Sequence, residues 1–379
     1  MSNMNIDMHN QISYAELESI IRSSAQAIIN DPEMAELIPP TLVRSAPGIG
    51  KSSIVKKVAD ELGIGFIDVR LAQMERVDLC GLPSVENHGT IWNVPSIFPT
   101  DSKSKGILFL DEITAAPPDV AVAAYSLVLD RKIPNSNYNL PDGWYIVAAG
   151  NRDTDKAVAK PMSSALANRF AHYELDADAE QWNDWAISKG LHPSVTGFIN
   201  YRPTLLFTMK DQDLQQGWPS PRSWHRVANI LPKFKDNETV LQKVVFGLIG
   251  QSVGTEFLAF HKMSKNFDSV VEMLTNPNAK LNIPKRSDER FAMTSAVAYH
   301  IWRGADEKED MKRTEGMLRI ALELTDDFAT MLVKACTQGN QRVNRLTAIK
   351  YIMTSKLYKK FNEKFGASMK KKYSLDLAD

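Results

Sequence analysis

The chain has 379 residues, of which 44% are hydrophobic and 24% are charged, and its 45 Lys and Arg residues are balanced by 45 Asp and Glu residues. This composition is ordinary for a globular protein of two or three domains, and the zero net charge excludes strong attraction of the whole chain to nucleic acid or to an anionic membrane. The two cysteines exclude a disulfide-stapled scaffold. Without a long apolar run or a signal-peptide pattern, the sequence predicts a cytoplasmic protein with no membrane segment.

The first part of the chain alternates short apolar runs with helical patterns. Ser13 and Glu16 form an S-x-x-E capping box, which predicts the start of a helix. Strands are predicted at 41–45, 65–70, 106–110, 144–149 and 171–175, and helices at 51–62 and 118–130. This alternation predicts a parallel sheet covered by helices on both faces. After about residue 178 the strand patterns end, and the rest of the chain is predicted to be mainly helical, with a domain boundary near 177–217.

The strongest motif is SAPGIGKSS, residues 45–53, between a predicted strand and a predicted helix. Glycines let the backbone curl so that its N–H groups point at phosphate oxygens, and the helix dipole adds positive potential. The residues expected to bind the nucleotide are Ala46, Pro47, Gly48, Ile49, Gly50, Lys51, Ser52 and Ser53. Lys51 is expected to reach the β- and γ-phosphates and Ser52 to bind Mg²⁺. The motif departs from G-x-x-x-x-G-K-[ST] at Ser45, which replaces the first glycine.

The second motif is GILFLDE, residues 106–112, an apolar run that ends in two carboxylates. In a parallel sheet, ligands bind at the C-terminal edge of the strands, where Asp111 and Glu112 are expected to lie. Asp111 would then belong to the Mg²⁺ shell, and Glu112 would act as the general base on the attacking water. An acidic pair after an apolar strand also caps ordinary loops, but its position after Lys51 in an α/β pattern favours the nucleotide interpretation.

Three later residues are further candidates for the same site. Asn151 ends the apolar run WYIVAAGN and could bind the γ-phosphate or the attacking water. Arg169, in SSALANRF, could act in a neighbouring subunit, and Arg222, after Pro221 in WPSPRSW, could reach the γ-phosphate from the start of a helix. Each also fits an ordinary interpretation, as a turn asparagine or a surface cation.

Taken in order over about residues 38–260, these motifs resemble those of AAA+ ATPases of the MoxR-like branch. SAPGIGKS resembles the Walker A motif and ILFLDE the Walker B motif. Asn151 matches the sensor 1 position, Arg169 the arginine-finger position and Arg222 the sensor 2 position. The stretches 75–98 and 126–151 resemble the two hairpin insertions of that branch.

The resemblance implies an α/β P-loop NTPase (AAA+) core with a parallel five-stranded sheet in the order 5-1-4-3-2, followed by a helical lid and a helical C-terminal region. The expected parts are an N-terminal helical segment (1–37), the nucleotide-binding core (38–177), the lid (178–265) and a C-terminal extension with a basic tail (266–379). The implied cofactors are ATP and Mg²⁺. No zinc site is expected, because neither cysteine has a cysteine or histidine nearby.

The function implied by the resemblance is ATP hydrolysis by a homo-oligomeric, hexameric ring that remodels a protein partner. In the MoxR-like branch this is a chaperone-like role, often with a partner that carries a von Willebrand factor A domain. The alternative is a nucleic-acid-dependent motor, or a defence or replication ATPase subunit. Residues 341–373 favour it, because they contain ten Lys or Arg residues, one acidic residue and interleaved aromatic residues. The same run also fits the solvated face of a C-terminal helix.

Overall fold

The computed structural model describes residues 10–86, 89–152, 162, 164–209, 216–264 and 269–373. The chain forms two compact units, Met1–Asp176 and Ala177–Asp379. The division follows the last strand, where the sequence changes from alternating patterns to helical ones. The finer division of the second unit into a lid and an extension stays a prediction.

Eight strands lie in the described part of the first unit. They are β1 (Gln11–Ile12), β2 (Thr41–Arg44), β3 (Gly65–Arg70), β4 (Leu82–Glu86), β5 (Gly89–Asn93), β6 (Gly106–Asp111), β7 (Trp144–Gly150) and β8 (Ala171–Leu175). Six of them form one sheet in the order β1-β8-β2-β7-β6-β3, with every neighbouring pair parallel. The five predicted strands are all present, and their order is the one that the resemblance implied.

The prediction of a five-stranded sheet was wrong, because β1 adds a sixth strand at the edge. Gln11 pairs with Glu174 and Ile12 with Leu175. A strand of two residues has no periodic apolar pattern of its own, so it could not be recognised from the sequence.

Six α-helices are described in the first unit. They are α1 (Tyr14–Asn30), α2 (Met34–Leu37), α3 (Lys51–Leu62), α4 (Arg76–Cys80), α5 (Pro118–Asp130) and α6 (Ser164–Ala167). α1 begins at the predicted capping box, in which both hydrogen bonds between Ser13 and Glu16 are formed. α3 ends at Gly63, whose left-handed φ of 66° closes the helix as glycine does at many C-termini. α5 begins with Pro118, which suits a first helical position.

The two predicted hairpins differ in extent. β4 and β5 pair in antiparallel register and form the hairpin expected within residues 75–98. The second, expected between α5 and β7, is a turn closed by a single antiparallel bridge between Lys132 and Asn139. Beside this bridge, the Leu140 N–H donates to the Arg131 carbonyl at 2.7 Å.

All the regular secondary structure in the described residues of the second unit is helical. Its α-helices are α7 (Ala179–Ser188), α8 (Pro193–Tyr201), α9 (Pro221–Ile230), α10 (Glu238–Ile249), α11 (Gln251–Ser264), α12 (Val270–Thr275), α13 (Ser287–His300), α14 (Glu307–Glu323), α15 (Asp326–Thr337), α16 (Arg345–Thr354) and α17 (Tyr358–Tyr373). Two hydrophobic clusters hold them together, one around Phe198 and Trp224 and the other around Trp302 and Phe361. Nowhere in the described ranges does a helix have both the length and the apolarity to cross a bilayer.

Candidate functional site

The predicted phosphate-binding loop connects β2 to α3. Gly48 and Gly50 have φ values of 84° and 111°, in the region that other residues rarely adopt. Gly50 is the N-cap of α3, and Lys51 is the first helical residue. The loop therefore ends at a helix N-terminus, where free backbone N–H groups and the helix dipole together favour an anion.

Ser45, the departure from the usual motif, is in contact with the lysine of the loop. Lys51 Nζ donates to the Ser45 carbonyl at 3.1 Å and to Ser45 Oγ at 3.0 Å. The Ser45 hydroxyl donates to the Ala46 carbonyl at 3.1 Å, and the residue is fully buried. A serine at this position therefore supplies an oxygen to the ammonium group that a glycine could not supply.

The acidic pair ends β6, whose apolar residues are buried between β3 and β7. The Glu112 N–H donates to Asp111 Oδ1 at 2.9 Å. Glu112 itself has φ 57° and ψ 34°, a left-handed conformation. For a residue other than glycine this conformation costs about 1–2 kcal/mol, and such residues cluster at functional sites.

Asn151 follows the last residue of β7 and is joined to both neighbouring segments. Its N–H donates to Thr114 Oγ1 at 3.2 Å, two residues beyond the acidic pair. The Ser45 N–H donates to the Gly150 carbonyl at 3.2 Å, and a Cβ on Gly150 would lie 2.6 Å from Thr114 Cγ2. The end of β7 therefore contacts the start of the phosphate loop through Gly150, and the turn that follows the acidic pair through Asn151. Thr114 was not predicted, since it belongs to none of the motifs.

Arg152 connects this site to the end of the first unit. Its Nη2 donates to the Leu175 carbonyl at 2.9 Å and to Asp176 Oδ1 at 2.5 Å. Its Nε lies 3.5 Å from Glu174 Oε2. The residue after Asn151 is therefore bound to the last residues of β8 and of the unit.

Arg169 lies between α6 and β8, with an exposed side chain. Its backbone N–H donates to the Leu166 carbonyl at 3.0 Å, and the next residue, Phe170, is buried. Within the described ranges no carboxylate pairs with the Arg169 guanidinium.

Arg222 belongs to the second unit and is described there by itself. It is the second residue of α9, which begins with Pro221 as the sequence predicted. Ser220 caps this helix by accepting the Ser223 N–H at 3.1 Å. The Arg222 side chain is exposed.

The oxygen donors at the site fit Mg²⁺. Ser52 provides a hydroxyl from the first turn of α3, and Asp111 provides a carboxylate from the end of β6. Across the described residues, no three His, Cys, Asp or Glu side chains form a group that could hold a metal. Mg²⁺ does not require such a group, because one or two protein oxygens together with substrate phosphates are enough to bind it. The pKa of Asp68, in β3, is raised above its ordinary value, mainly by burial. The charge of Arg70 lowers this pKa, and the charge of Asp111 raises it.

The basic tail is partly occupied by contacts within the second unit. Phe361 and Phe365 are buried in the hydrophobic core and cannot stack on nucleic-acid bases. Arg342 binds the buried Asp310 at 2.5 Å, and Lys372 binds two carboxylates at the start of α15, at 2.5 and 2.7 Å. The basic residues of this region that are exposed and have no ion pair among the described residues include Arg345, Lys350, Lys356, Lys359, Lys360 and Lys371.

Part of the chain matches a family model and a named relative. The segment 42–170 matches the family model described as AAA domain (dynein-related subfamily). Midasin of Giardia intestinalis is 27% identical over 168 residues, which are 43% of this chain and 4% of Midasin. The chain thus corresponds to a small part of that relative.

Two solved structures have low similarity to the chain. A RuvB mutant from Thermotoga maritima is 14% identical over 77% of this chain and 86% of that one, with a TM-score of 0.34. NtrX from Brucella abortus in complex with ADP is 12% identical over 80% of this chain and 65% of that one, with a TM-score of 0.36. TM-scores this low support no conclusion about function. The description of the matching family model does not name the MoxR-like branch. The segment that matches the AAA family model, residues 42–170, contains the phosphate loop, the acidic pair and Asn151.

Proposed function

We propose that this protein is an AAA+ ATPase that couples ATP hydrolysis to the remodelling of a protein partner. The observation that supports it best is that the end of β7 contacts both the start of the phosphate loop and the turn that follows the acidic pair. Two hydrogen bonds, Ser45 N–H to the Gly150 carbonyl and Asn151 N–H to Thr114 Oγ1, connect these segments at the C-terminal edge of the sheet. Ligands of parallel α/β sheets bind at this edge.

In the proposed mechanism, the loop N–H groups and Lys51 hold the phosphates, and Ser52 and Asp111 hold Mg²⁺. When bound, Mg²⁺ neutralises charge on the phosphate oxygens. Glu112 accepts a proton from the attacking water, and Asn151 positions that water or the γ-phosphate.

Substitutions at Lys51 and Glu112 test this division of roles. Lys51→Ala should weaken ATP binding, whereas Glu112→Gln should keep binding and stop turnover, because only the second removes the base. Equilibrium titration with ATP and steady-state hydrolysis separate the two effects. A Glu112→Gln variant that hydrolyses ATP at the wild-type rate would exclude Glu112 as the base.

We also propose assembly into a hexameric ring in which Arg169 acts in the neighbouring subunit. The exposure of Arg169 and the lack of a carboxylate partner among the described residues support this role. Arg222 would report the γ-phosphate to the helical second unit. Mixing inactive Arg169→Ala subunits with inactive Lys51→Ala subunits should restore part of the activity, because some interfaces then combine an intact loop with an intact arginine. A mixture without activity would argue against a role in trans.

For the partner we propose a protein, in a MoxR-like chaperone role that could involve a von Willebrand factor A domain. The β4–β5 hairpin supports a protein contact, because Leu82, Val85 and Ile91 on it are 61%, 85% and 48% exposed. Leu82 and Ile91 lie on one face of the hairpin and Val85 on the other, so both faces present exposed apolar side chains that a partner could contact. Replacing Val85 and Ile91 by serine should spare basal ATP hydrolysis and abolish any stimulation by the partner. Retention on Glu112→Gln protein, which would hold the nucleotide-bound state, is the assay to identify that partner.

A nucleic-acid-dependent motor is the second candidate, favoured by the exposed lysines of α17. Deleting the tail would not test it cleanly, since Phe361 and Phe365 belong to the core. A Lys359→Ala, Lys360→Ala, Lys371→Ala variant keeps the core. If nucleic acid is the partner, DNA should stimulate hydrolysis, and the variant should flatten the dependence of log K on log salt by about 0.9 per lost contact with duplex DNA. We expect neither effect.

A further inference from the structure

A tyrosine outside the family motifs contacts the phosphate loop. The hydroxyl of Tyr14, the first residue of α1, donates to the Ile49 carbonyl at 2.8 Å. Ile49 is buried and directly precedes Gly50, the residue that caps α3. The bond joins positions 35 residues apart in the sequence.

Tyr14 is held in place by its neighbours on both sides. Before it, Ile12 pairs with Leu175 at the edge of the sheet, and Ser13 caps α1. After it, α1 packs along α3, where Lys57 Nζ binds Glu18 Oε2 at 2.7 Å. The tyrosine is therefore fixed relative to the helix that begins at the phosphate loop.

The peptide that Tyr14 contacts, between Ile49 and Gly50, lies in a loop where glycines flank Ile49, so the residues on either side have no side chain to restrict the backbone. Gly48 and Gly50, on either side of Ile49, have positive φ values, and glycine tolerates φ of either sign. The loop backbone could therefore adopt other orientations at little steric cost. In a planar trans peptide, the carbonyl and the following N–H point in opposite directions. A bond that fixes the Ile49 carbonyl therefore also fixes the direction of the Gly50 N–H.

We propose that Tyr14 is a positioning residue that orients the Ile49–Gly50 peptide so that the Gly50 N–H faces the bound phosphates. This inference rests on the proposed function, because it requires a phosphate in the loop. It assigns a role in nucleotide binding to the segment before β2. Tyr14 acts through the backbone and takes no part in the chemical step.

The test is Tyr14→Phe, which removes only the hydroxyl. A net hydrogen bond of about 0.5–1.5 kcal/mol corresponds to a rise in Kd of at most roughly two- to twelvefold. We expect that rise for ADP, and a similar rise in the inhibition constant of inorganic pyrophosphate, obtained from its competition with a fluorescent ADP analogue whose own Kd is measured for each variant. KM for ATP should rise while kcat stays within about twofold, since Glu112 and Asn151 are unchanged.

Tyr138→Phe is the matched control. The Tyr138 hydroxyl also donates to a backbone carbonyl, that of Pro99, at 2.9 Å. Both variants should lower the unfolding midpoint by similar amounts, but only Tyr14→Phe should change nucleotide affinity. Hydrogen exchange in residues 46–53 should be faster in Tyr14→Phe than in the wild type, and unchanged in Tyr138→Phe.

Pyrophosphate separates this proposal from direct contact with the base. Because pyrophosphate has no base, a weaker affinity for ADP with unchanged pyrophosphate competition would overturn the inference. Unchanged affinity for both ligands would also overturn it. Failure of the proposed function has a different signature, namely a Lys51→Ala variant that binds ADP as tightly as the wild type.

Discussion

The substitution Thr114→Val removes a hydroxyl and puts a methyl group of similar size in its place. The side chain is buried, and its Oγ1 accepts the Asn151 N–H at 3.2 Å. A hydrogen bond of this kind contributes about 0.5–1.5 kcal/mol, and a buried donor without an acceptor costs about 1–3 kcal/mol. Because Asn151 is only half-buried, water can replace part of the contact, and we expect the free energy of unfolding to fall by about 1–2 kcal/mol.

The effect on catalysis should be larger than the effect on stability. A displacement of a catalytic group by about 1 Å can cost roughly 100-fold in rate. If Asn151 has the proposed role, kcat should fall by about 10- to 100-fold while the Kd for ATP changes by less than about twofold, because the loop is untouched. Steady-state hydrolysis gives kcat, and equilibrium titration gives Kd. Thr114→Ser keeps the acceptor and should retain most of the rate.

Thr330→Val is the control for loss of a buried threonine hydroxyl. Thr330 is also fully buried, and its Oγ1 donates to the Asp326 carbonyl at 2.7 Å in the second unit. We expect a comparable loss of stability with unchanged kcat. The reasoning is refuted if folded Thr114→Val hydrolyses ATP at the wild-type rate, or if Thr114→Ser is as slow as Thr114→Val.

The remaining predictions concern stability. Arg342→Ala should lower the free energy of unfolding by about 2–3 kcal/mol in urea titrations, because it leaves the buried Asp310 carboxylate without its guanidinium partner. Removing one partner of a buried ion pair costs about 3–5 kcal/mol. The expected loss is smaller here because Arg342 is 44% exposed. A shift no larger than that of Lys372→Ala, whose ion pairs are exposed, would contradict this. Burial raises the pKa of Tyr138 from 10.0 to about 12. The folded state then keeps a proton that the unfolded state loses, so stability should fall between about pH 10 and pH 12. Tyr138→Phe should flatten this decline in urea midpoints measured across that range, and an unchanged slope would assign the decline to other groups. Gly247→Ala should stabilise α10 by about 0.5–1 kcal/mol, since nothing lies within 4 Å of the new Cβ. Gly150→Ala should destabilise the protein, because its Cβ would collide with Thr114. Thermal melts in which Gly150→Ala is more stable than Gly247→Ala would contradict this account of the space around the two glycines.

The sequence predicted the central strands and two helices because each apolar pattern has clear ends. α3 runs from the phosphate loop to Gly63, and α5 starts at Pro118. β1 could not be predicted in the same way, because its two residues become a strand only by pairing with β8. Its position depends on tertiary structure and not on a local pattern.

The same distinction applies to the candidate site. Lys51 and Asp111 could be proposed as site residues because they belong to contiguous motifs. The contacts of Tyr14 and Thr114 join residues 35 and 37 positions apart, and no spacing rule connects them. In the tail, Phe361 and Phe365 belong to the aromatic residues interleaved with basic ones that favour the nucleic-acid alternative. In the structure this i, i+4 pair is the buried face of α17.

The ion pair of Arg152 has a consequence for how the end of the first unit is held. Asn151 and Arg152 are consecutive, and Arg152 is bound to Asp176, the last residue before the second unit begins. In the sheet, β8 lies between β1 and β2 and is not the neighbour of β7. The Arg152 side chain therefore links the residue that follows Asn151 to Asp176 across the position of β2, a link that strand pairing does not supply. Arg152→Ala would remove that link within the first unit.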